Sequence, residues 1–489
     1  MALSKTTRDC LTKRLKKILP KEALLHKTET MQPFECDALS AYRSLPALVC
    51  LPDTIEQVQA IMRICYELQV PVVPRGAGTG LSGGALPDND GVLLVLSKLN
   101  HILEIDNQNF CARIEPGVRN LALSDATRPF GLYYAPDPSS QFACTLGGNV
   151  AENSGGVHCL KYGLTVHNVL GLKVVTVEGN LLTLGGKTLD SPGYDLLALL
   201  CGSEGLLGVV VEITVKLLPC PEYTKVILAA FDDVAKAGLA VSHIIAAGII
   251  PAGLEMMDQV VIKAVEDFVH ADFPKVAQAI VLCEMDGNPL EVAEQVEQVE
   301  KIMLDSGAIE IRTAKDEVER TLFWKSRKSA FTALGRISPD YYCMDGTIPR
   351  RHLPIVLARI KELSKEFDLT VANVFHAGDG NLHPLILYDI NYEGELEKVE
   401  CLGQRILELC VSVGGTITGE HGVGIEKLNG MCMQFETLEL NQFLNIKAAF
   451  DPHKLLNPGK ALPTLHRCAE FGAMHVHQGQ LTFPELERF

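Results

Sequence analysis

The sequence predicts an α+β protein of more than one domain, and three observations carry that reading. Glycine clusters alternate with short β-runs through roughly the first 220 residues. Beyond Pro219 the clusters stop, and strand and helix patterns follow one another in the order of a ferredoxin-like antiparallel sheet backed by helices. The chain has 489 residues, too many for one ordinary hydrophobic core.

Composition narrows the classes of function. A hydrophobic share of 47% fits a globular protein, and a net charge of -16 argues against nucleic-acid binding, which needs basic patches. Fifteen cysteines form no C-x-x-C pair, so they read as thiols of a reducing cytoplasm, with no iron–sulfur cluster held by the chain itself. The most apolar window, residues 237–254, is interrupted by Ser242, His243, Gly248 and Pro251 and reads as a buried helix running into a strand, not a membrane anchor. Near the N-terminus, Leu11, Leu15, Ile18 and Leu19 form a stripe among seven basic residues, including Lys5, Arg8 and Lys13. That pattern reads as a surface helix, with contact to an anionic membrane or an acidic partner as the alternative.

In chain order, residues 47–51 read as a strand and 54–68 as an amphipathic helix, apolar at Val58, Ile61, Met62 and Cys65. A strand at 70–73 then enters Arg75-Gly76-Ala77-Gly78-Thr79-Gly80-Leu81-Ser82-Gly83-Gly84-Ala85. Glycines tolerate positive φ, so this backbone can turn its N–H groups toward one point, as in a phosphate cradle. A Rossmann fingerprint would need a helix directly after the glycines. Pro87, Asp88, Asn89 and Gly91 follow instead, and then the strand-like run 92–96. The stretch therefore predicts a pyrophosphate cradle of another type.

Two more clusters follow. Pro136-Asp137-Pro138-Ser139-Ser140 reads as a shaped loop, because each proline fixes φ. Gly147-Gly148-Asn149-Val150-Ala151-Glu152-Asn153-Ser154-Gly155-Gly156, with Tyr162-Gly163 beyond it, brackets two amide side chains that suit the polar edge of a ring. Gly202-Ser203-Glu204-Gly205-Leu206-Leu207-Gly208 precedes a β-run at 209–215. Three clusters, each expected between strands, point to one extended ligand lying across a β scaffold.

In the back half, residues 371–388 hold two β-runs around Asp379-Gly380, a strong hairpin signal. With those two as the turn, His376 is expected directly opposite His383, with Cβ atoms about 4.5–5.5 Å apart. Two imidazoles so placed can grip one metal ion. Residues 416–424 add a short strand ending in Glu420-His421. His376, His383 and Glu420 make a His₂Glu set suited to Zn, Mn or Fe(II), and His421 is left as a general base.

With these motifs together, and with Leu456-Asn457-Pro458-Gly459-Lys460, the chain resembles the vanillyl-alcohol-oxidase (PCMH-type) FAD-dependent oxidoreductases over nearly its whole length. The resemblance implies a PCMH-type FAD-binding domain of two α/β subdomains, a ferredoxin-like substrate cap and a C-terminal helical segment. It implies segments 1–41 (N-terminal helical), 42–221 (FAD domain), 222–460 (cap, its end returning to the flavin domain) and 461–489 (tail). It also implies that Arg75 to Ser82 hold the FAD pyrophosphate. Cofactor contacts are expected besides from Pro138, Ser139, Gly148, Asn149, Asn153, Gly155, Gly156, Tyr162, Gly163, Glu204, Gly205, Gly208 and Asn457. Related D-2-hydroxyacid dehydrogenases place a divalent metal at the positions of His376, His383 and Glu420 and the base at that of His421.

The implied activity is oxidation of a small 2-hydroxy acid, glycolate or D-lactate, to the 2-oxo acid. No histidine lies in residues 71–85, so the FAD is expected to be non-covalent. Cys343 stands near where relatives selective for dicarboxylates carry Lys, which favours a monocarboxylate. Arg327 is the expected anchor of the substrate carboxylate, in competition with Lys328, Arg336, Arg350 and Arg351. The resemblance implies work with partner subunits, so a second flavin-type subunit and an iron–sulfur electron-transfer subunit are expected, with a cytoplasmic location that is peripheral at the membrane only through partners. The tail, with His466, His475 and His477, reads as a docking segment for such a partner.

Two other classes compete. A His₂Glu metallohydrolase would use the same ligands but has no need of three glycine clusters, and a non-enzymatic binding module leaves the metal and base without purpose. Among flavoenzymes the runner-up is a D-lactate or D-2-hydroxyglutarate dehydrogenase acting alone.

Overall fold

The computed structural model describes residues 3–188 and 192–464, so the histidines of the tail lie outside the described residues. The chain forms two compact units. Of the described residues, one contains those up to Ser154, those within Leu164–Pro219 and those from Glu420 onward; the other contains Gly155–Gly163 and Cys220–Gly419.

The first unit holds two principal sheets. Strands β1 (Leu24–Leu25), β2 (Leu48–Cys50), β3 (Val72–Arg75) and β4 (Val92–Val95) lie in the order β1-β2-β4-β3. The β2–β4 and β3–β4 pairings are parallel, and the strands are buried almost throughout, as central parallel strands are. The crossover from β2 to β3 is the helix Ile55–Glu67. Thr54 caps it by accepting from the Gln57 N–H, and its buried face is Val58, Ile61, Met62, Ile64 and Cys65.

The second sheet is antiparallel: β5 (Ile102–Asp106), β6 (Cys111–Ile114), β8 (Val169–Val175), β9 (Leu181–Gly185) and β10 (Val209–Lys216), in the order β5-β6-β10-β8-β9. A small ribbon joins β7 (Leu132–Tyr133) to β11 (Leu218–Pro219). These are the two α/β subdomains expected from the sequence.

Leu11 and Leu15 of the helix Lys5–Leu15 are fully buried in one core with Val58, Ile61 and Leu94. Burying each such side chain is worth about 1.5–3 kcal/mol. The N-terminal stripe is thus used by the unit's own core and is not presented to a membrane. After the helices Leu428–Gln434 and Thr437–Phe450, the chain runs along β3. There the Val72 N–H donates to Leu455 O at 2.7 Å and the Asn457 N–H to Val72 O at 2.8 Å.

The second unit is built on a seven-stranded antiparallel sheet: β12 (Tyr223–Phe231), β13 (Gly253–Asp258), β14 (Ala279–Gly287), β15 (Ala308–Thr313), β16 (Asp340–Cys343), β17 (Val371–Phe375) and β18 (Pro384–Tyr388). Its order is β15-β12-β14-β13-β17-β18-β16. The first four follow the ferredoxin-like order, fourth-first-third-second, with the helices Val234–Ala246 and Pro289–Asp305 as crossovers. An extra helix, Gln259–Val269, follows β13, and three strands extend the sheet beyond it. Among the described residues no helix is long and apolar enough to cross a membrane.

The hairpin register differs from the two-residue-turn expectation. Asn373 pairs with Pro384 and Ala372 with Leu385, and His376 bridges Asn381 rather than His383. The connection is the four-residue loop Ala377-Gly378-Asp379-Gly380, in which Asp379 Oδ1 accepts the Asn381 N–H at 3.0 Å. Gly380 has φ +83°, and a Cβ there would lie 2.2 Å from Ile348 O. A shift of two residues preserves the face on which a side chain points, so His376 and His383 remain on one side as diagonal neighbours.

Candidate active site

In the first unit, β3 delivers the chain into the glycine cradle. Gly78 has φ +74° and Gly83 φ +77°; a Cβ on Gly78 would fall 2.1 Å from Arg75 Nη2, and one on Gly83 2.5 Å from Ile425 Cγ1. The Arg75 guanidinium braces the loop from below: Nη1 donates to Cys36 O at 2.6 Å, and the group lies over the Phe34 ring. Ser82 likewise turns inward, its hydroxyl donating to His421 O at 2.9 Å.

The second glycine cluster is not a loop between strands but the start of the helix Leu146–Glu152, capped by Thr145. Gly76 approaches that cap so closely that a Cβ would lie 2.3 Å from Thr145 Oγ1. The two amides expected at a ring edge are engaged inside the protein. Asn149 accepts from Asn120 Nδ2 at 3.0 Å and donates to Ser154 Oγ at 3.3 Å, while Asn153, at φ +55°, accepts the Val166 N–H at 2.9 Å. Pro138 is buried and Ser139 exposed in their loop.

Gly148 lies in the same capped turn, and Gly205, at φ +71°, packs toward Pro74. A Cβ on Gly208 would lie 2.4 Å from Val174 Cγ1. Asn457 ties clusters together, its Nδ2 donating to Gly84 O at 3.0 Å and Glu204 O at 2.7 Å. Gly155, Gly156, Tyr162 and Gly163 belong to the second unit, where the Tyr162 hydroxyl donates to Asp286 Oδ2 at 2.7 Å.

An acidic pair lies beneath the first unit's loops. Glu204 Oε1 and Oε2 accept the Val423 and Gly424 N–H groups, and Lys427 Nζ donates to Gly422 O at 2.9 Å. Burial, reinforced by the Glu204 charge, pushes Glu152 well above its ordinary carboxyl range. Burial raises Glu204 too, opposed by its two N–H donors, and burial lowers the nearby Lys460 ammonium to about 8.

In the second unit, Arg327, His376 and His383 come together around a residue that the sequence reading missed. Glu255, on β13, places Oε1 2.7 Å from His376 Nδ1 and Oε2 2.6 Å from Arg327 Nη2. All three are buried. Burial alone would raise the Glu255 carboxyl, but His376 and Arg327 outweigh it and hold it below its usual range. Arg327 Nε has no hydrogen-bond partner among the described residues.

The His376 and His383 rings are 5.2 Å apart between centroids and nearly perpendicular. His383 Nδ1 faces Met344 O at 3.4 Å, with the wholly buried Asp345 beyond. Asp345 Oδ2 also accepts the Gly419 N–H at 3.0 Å. The chain passes into the first unit at the next peptide bond, so Glu420 and His421 begin the other unit. The signal for Glu255 was in the sequence: one acid within the apolar run Leu254-Glu255-Met256-Met257.

A family profile described as FAD binding domain matches residues 46–185, and one described as FAD linked oxidases, C-terminal domain, matches residues 220–461. Over 488 residues, 100% of this chain and 98% of the other, it is 62% identical to the glycolate oxidase subunit GlcD of Escherichia coli (strain K12). The chain belongs to the FAD-linked oxidases. This FAD-linked oxidase is also 42% identical over 87% of its length to GlcD of Bacillus subtilis (strain 168), covering 91% of that chain. It is 33% identical over 92% of its length to a D-lactate dehydrogenase of Anaerostipes hadrus, covering 96% of it.

A solved 4-ethylphenol oxidase of Gulosibacter chungangensis shares the fold at a TM-score of 0.80 and 18% identity, covering 95% of this chain and 99% of that one. FAD is therefore the cofactor, and the cradle suits its diphosphate in that Gly78 and Gly83 give the left-handed backbone turns a phosphate loop uses and pack where a Cβ would meet Arg75 or Ile425. The donor set of the second unit fits a divalent metal: two buried imidazoles, 5.2 Å apart between centroids, each have Nδ1 facing an oxygen, the arrangement usual behind ligating histidines.

Proposed function

We propose that this FAD-dependent hydroxy-acid oxidoreductase converts glycolate to its 2-oxo acid, with a divalent metal on His376, His383 and Glu420. The observation that carries this reading is the buried guanidinium of Arg327 joined through Glu255 to His376, which sets a carboxylate anchor beside two potential metal ligands. Full-length identity to the glycolate oxidase subunits supports the substrate. Glu420, the third ligand of the set read from the sequence, follows Gly419 directly in the chain.

Arg327 binds the substrate carboxylate through donors not already given to Glu255. His421 takes the hydroxyl proton on its imidazole. A divalent metal held by His376, His383 and Glu420 would supply Lewis-acid polarisation of the substrate hydroxyl. FAD, when bound, accepts the hydride leaving Cα. Ser82, Glu204 and Lys427 hold the backbone around His421.

Electrons then pass to partner chains, whose existence the word subunit in the relatives' names supports; an iron–sulfur subunit beside a second flavin-type subunit is the proposed pair. Such a complex would work in the cytoplasm, peripheral to the membrane through its partners. The D-lactate dehydrogenase relative supports D-lactate as a second substrate, since one methyl group changes discrimination by only about 1–3 kcal/mol.

The test is dye-linked oxidation of a panel of glycolate, D-lactate, L-lactate and D-2-hydroxyglutarate by the purified yellow protein, before and after chelation. Glycolate turnover that falls on chelation and returns with Zn²⁺ or Mn²⁺ is expected. His376→Ala and His383→Ala should abolish both bound metal and turnover. Full activity in metal-free protein would overturn the metal assignment, and turnover of none of the four acids would overturn the substrate class.

A further inference from the structure

We propose that Glu255 is a positioning residue that couples the metal centre to the carboxylate anchor, orienting His376 with one oxygen and Arg327 with the other. The inference rests on the proposed metal and anchor roles of those two residues and deepens them.

The geometry is that of a carboxylate shared between two tasks. Glu255 Oε1 lies 2.7 Å from His376 Nδ1, which fixes the ring tautomer so that the metal is taken through Nε2. Oε2 lies 2.6 Å from Arg327 Nη2, and Glu255 and Arg327 are 1% and 2% exposed as side chains, so neither orientation is blurred by water. Glu255 belongs to β13, whose Met256 pairs with Phe375 of β17, the residue before His376. Carboxylate and imidazole are therefore set by one sheet ladder, with little freedom at either end.

Arg327 comes from a different element, the helix Glu317–Lys328, so it is Glu255 that brings the two together. A buried acid held between a cation and an imidazole is an unlikely choice for stability alone, because a well-packed apolar residue there would avoid the desolvation of two charges. Its retention in an apolar strand is explained if metal ligand and substrate anchor must keep a fixed spacing, as chelation of one 2-hydroxy acid by both requires.

The experiment uses the full chain with FAD, stripped of metal and titrated with Mn²⁺ while the free ion is followed by electron paramagnetic resonance. Retained flavin reports folding through the other unit's residues. E255Q is expected to weaken Mn²⁺ binding about 10- to 100-fold, the usual cost of losing a carboxylate behind a ligating histidine. With Mn²⁺ saturating, it should raise KM for glycolate more than it lowers kcat. Glu255→Asp, which keeps the charge but is shorter by one methylene, should fall between E255Q and wild type in Mn²⁺ affinity.

Unchanged Mn²⁺ affinity in E255Q, with His376→Ala having lost the metal, would overturn this inference alone. Loss of flavin together with metal in both Glu255 variants would make Glu255 a folding determinant and overturn it as well. Wild-type protein that takes up no Mn²⁺, or His376→Ala that takes up as much as wild type, would overturn the metal assignment and this inference with it.

Discussion

Glu204 accepts the backbone N–H of Gly424 at 2.7 Å with one carboxylate oxygen and that of Val423 at 2.7 Å with the other. Both donors lie just beyond His421, and Gly424 is held at φ +51° against Ser82 O, where no Cβ fits. A buried carboxylate spanning two successive N–H groups fixes the turn that carries the proposed base. In Glu204→Gln one end of the side chain becomes a donor facing a donor, leaving a buried N–H unsatisfied at a cost of about 1–3 kcal/mol. A lower melting temperature together with a reduced kcat is expected. Unchanged values of both would show that the turn is held by Ser82 and Lys427 without it.

Glu152 gives a pH signature. Its ordinary value of 4.5 is pushed well up, by burial first and by the Glu204 charge second. Between 4.5 and the raised value the unfolded chain has lost this proton and the folded protein keeps it, so stability falls as pH rises through that window. The slope for one proton is at most about 1.4 kcal/mol per pH unit. Glu152→Gln is neutral throughout and lacks this component. Melting temperatures taken from pH 5 to pH 7 should therefore move in favour of Glu152→Gln as pH rises. Parallel curves for the two proteins would mean that Glu152 is ionised in the fold.

The sequence was most legible where a local pattern and a long-range contact agreed. The helix over Ile55–Glu67 has its cap, its apolar stripe and its sheet partner all in register with the 3.6-residue period, and the ferredoxin-like strand order follows from alternating strand and helix signals. Local chemistry misled where a tertiary contact decided. Asp379-Gly380 has the signature of a two-residue turn, but Asp379 bonds Asn381 and Gly380 abuts Ile348 O, so the loop takes four residues and His376 meets Asn381. Asn149 and Asn153 also bond within the protein, their Oδ1 atoms accepting from Asn120 and Val166, partners that no local pattern announces. Glu255 was overlooked because a charge in an apolar strand has meaning only once its partners are known, and Arg327 lies on a helix 72 positions away in the chain.

Two glycines of the cradle should respond oppositely to alanine. At Gly78 the Cβ would meet the Arg75 guanidinium at 2.1 Å and the residue is held at φ +74°, a left-handed conformation that costs a side-chain-bearing residue about 1–2 kcal/mol. At Gly80 the nearest atom to a Cβ is Asp37 Oδ2 at 4.0 Å. Gly78→Ala is expected to lose FAD during gel filtration, read as the ratio of flavin to protein absorbance, while Gly80→Ala keeps it. Equal flavin content in the two would remove the steric argument for the cradle.

The anchor is tested by Arg327→Lys. Lysine can keep a positive charge near Glu255, but it is a point donor, whereas the guanidinium sets Nη2 in an ion pair 2.6 Å from Glu255 Oε2 and still has a buried Nε without a hydrogen-bond partner among the described residues. Losing one charge-assisted hydrogen bond to substrate costs about 1.5–3 kcal/mol, which corresponds to a rise of about 10- to 100-fold in KM for glycolate. Metal content should stay near the wild-type value, because His376 keeps Glu255 in either protein. An unchanged KM would transfer the anchor to one of the competing cations, of which Arg350 donates to Gly378 O in the loop after His376.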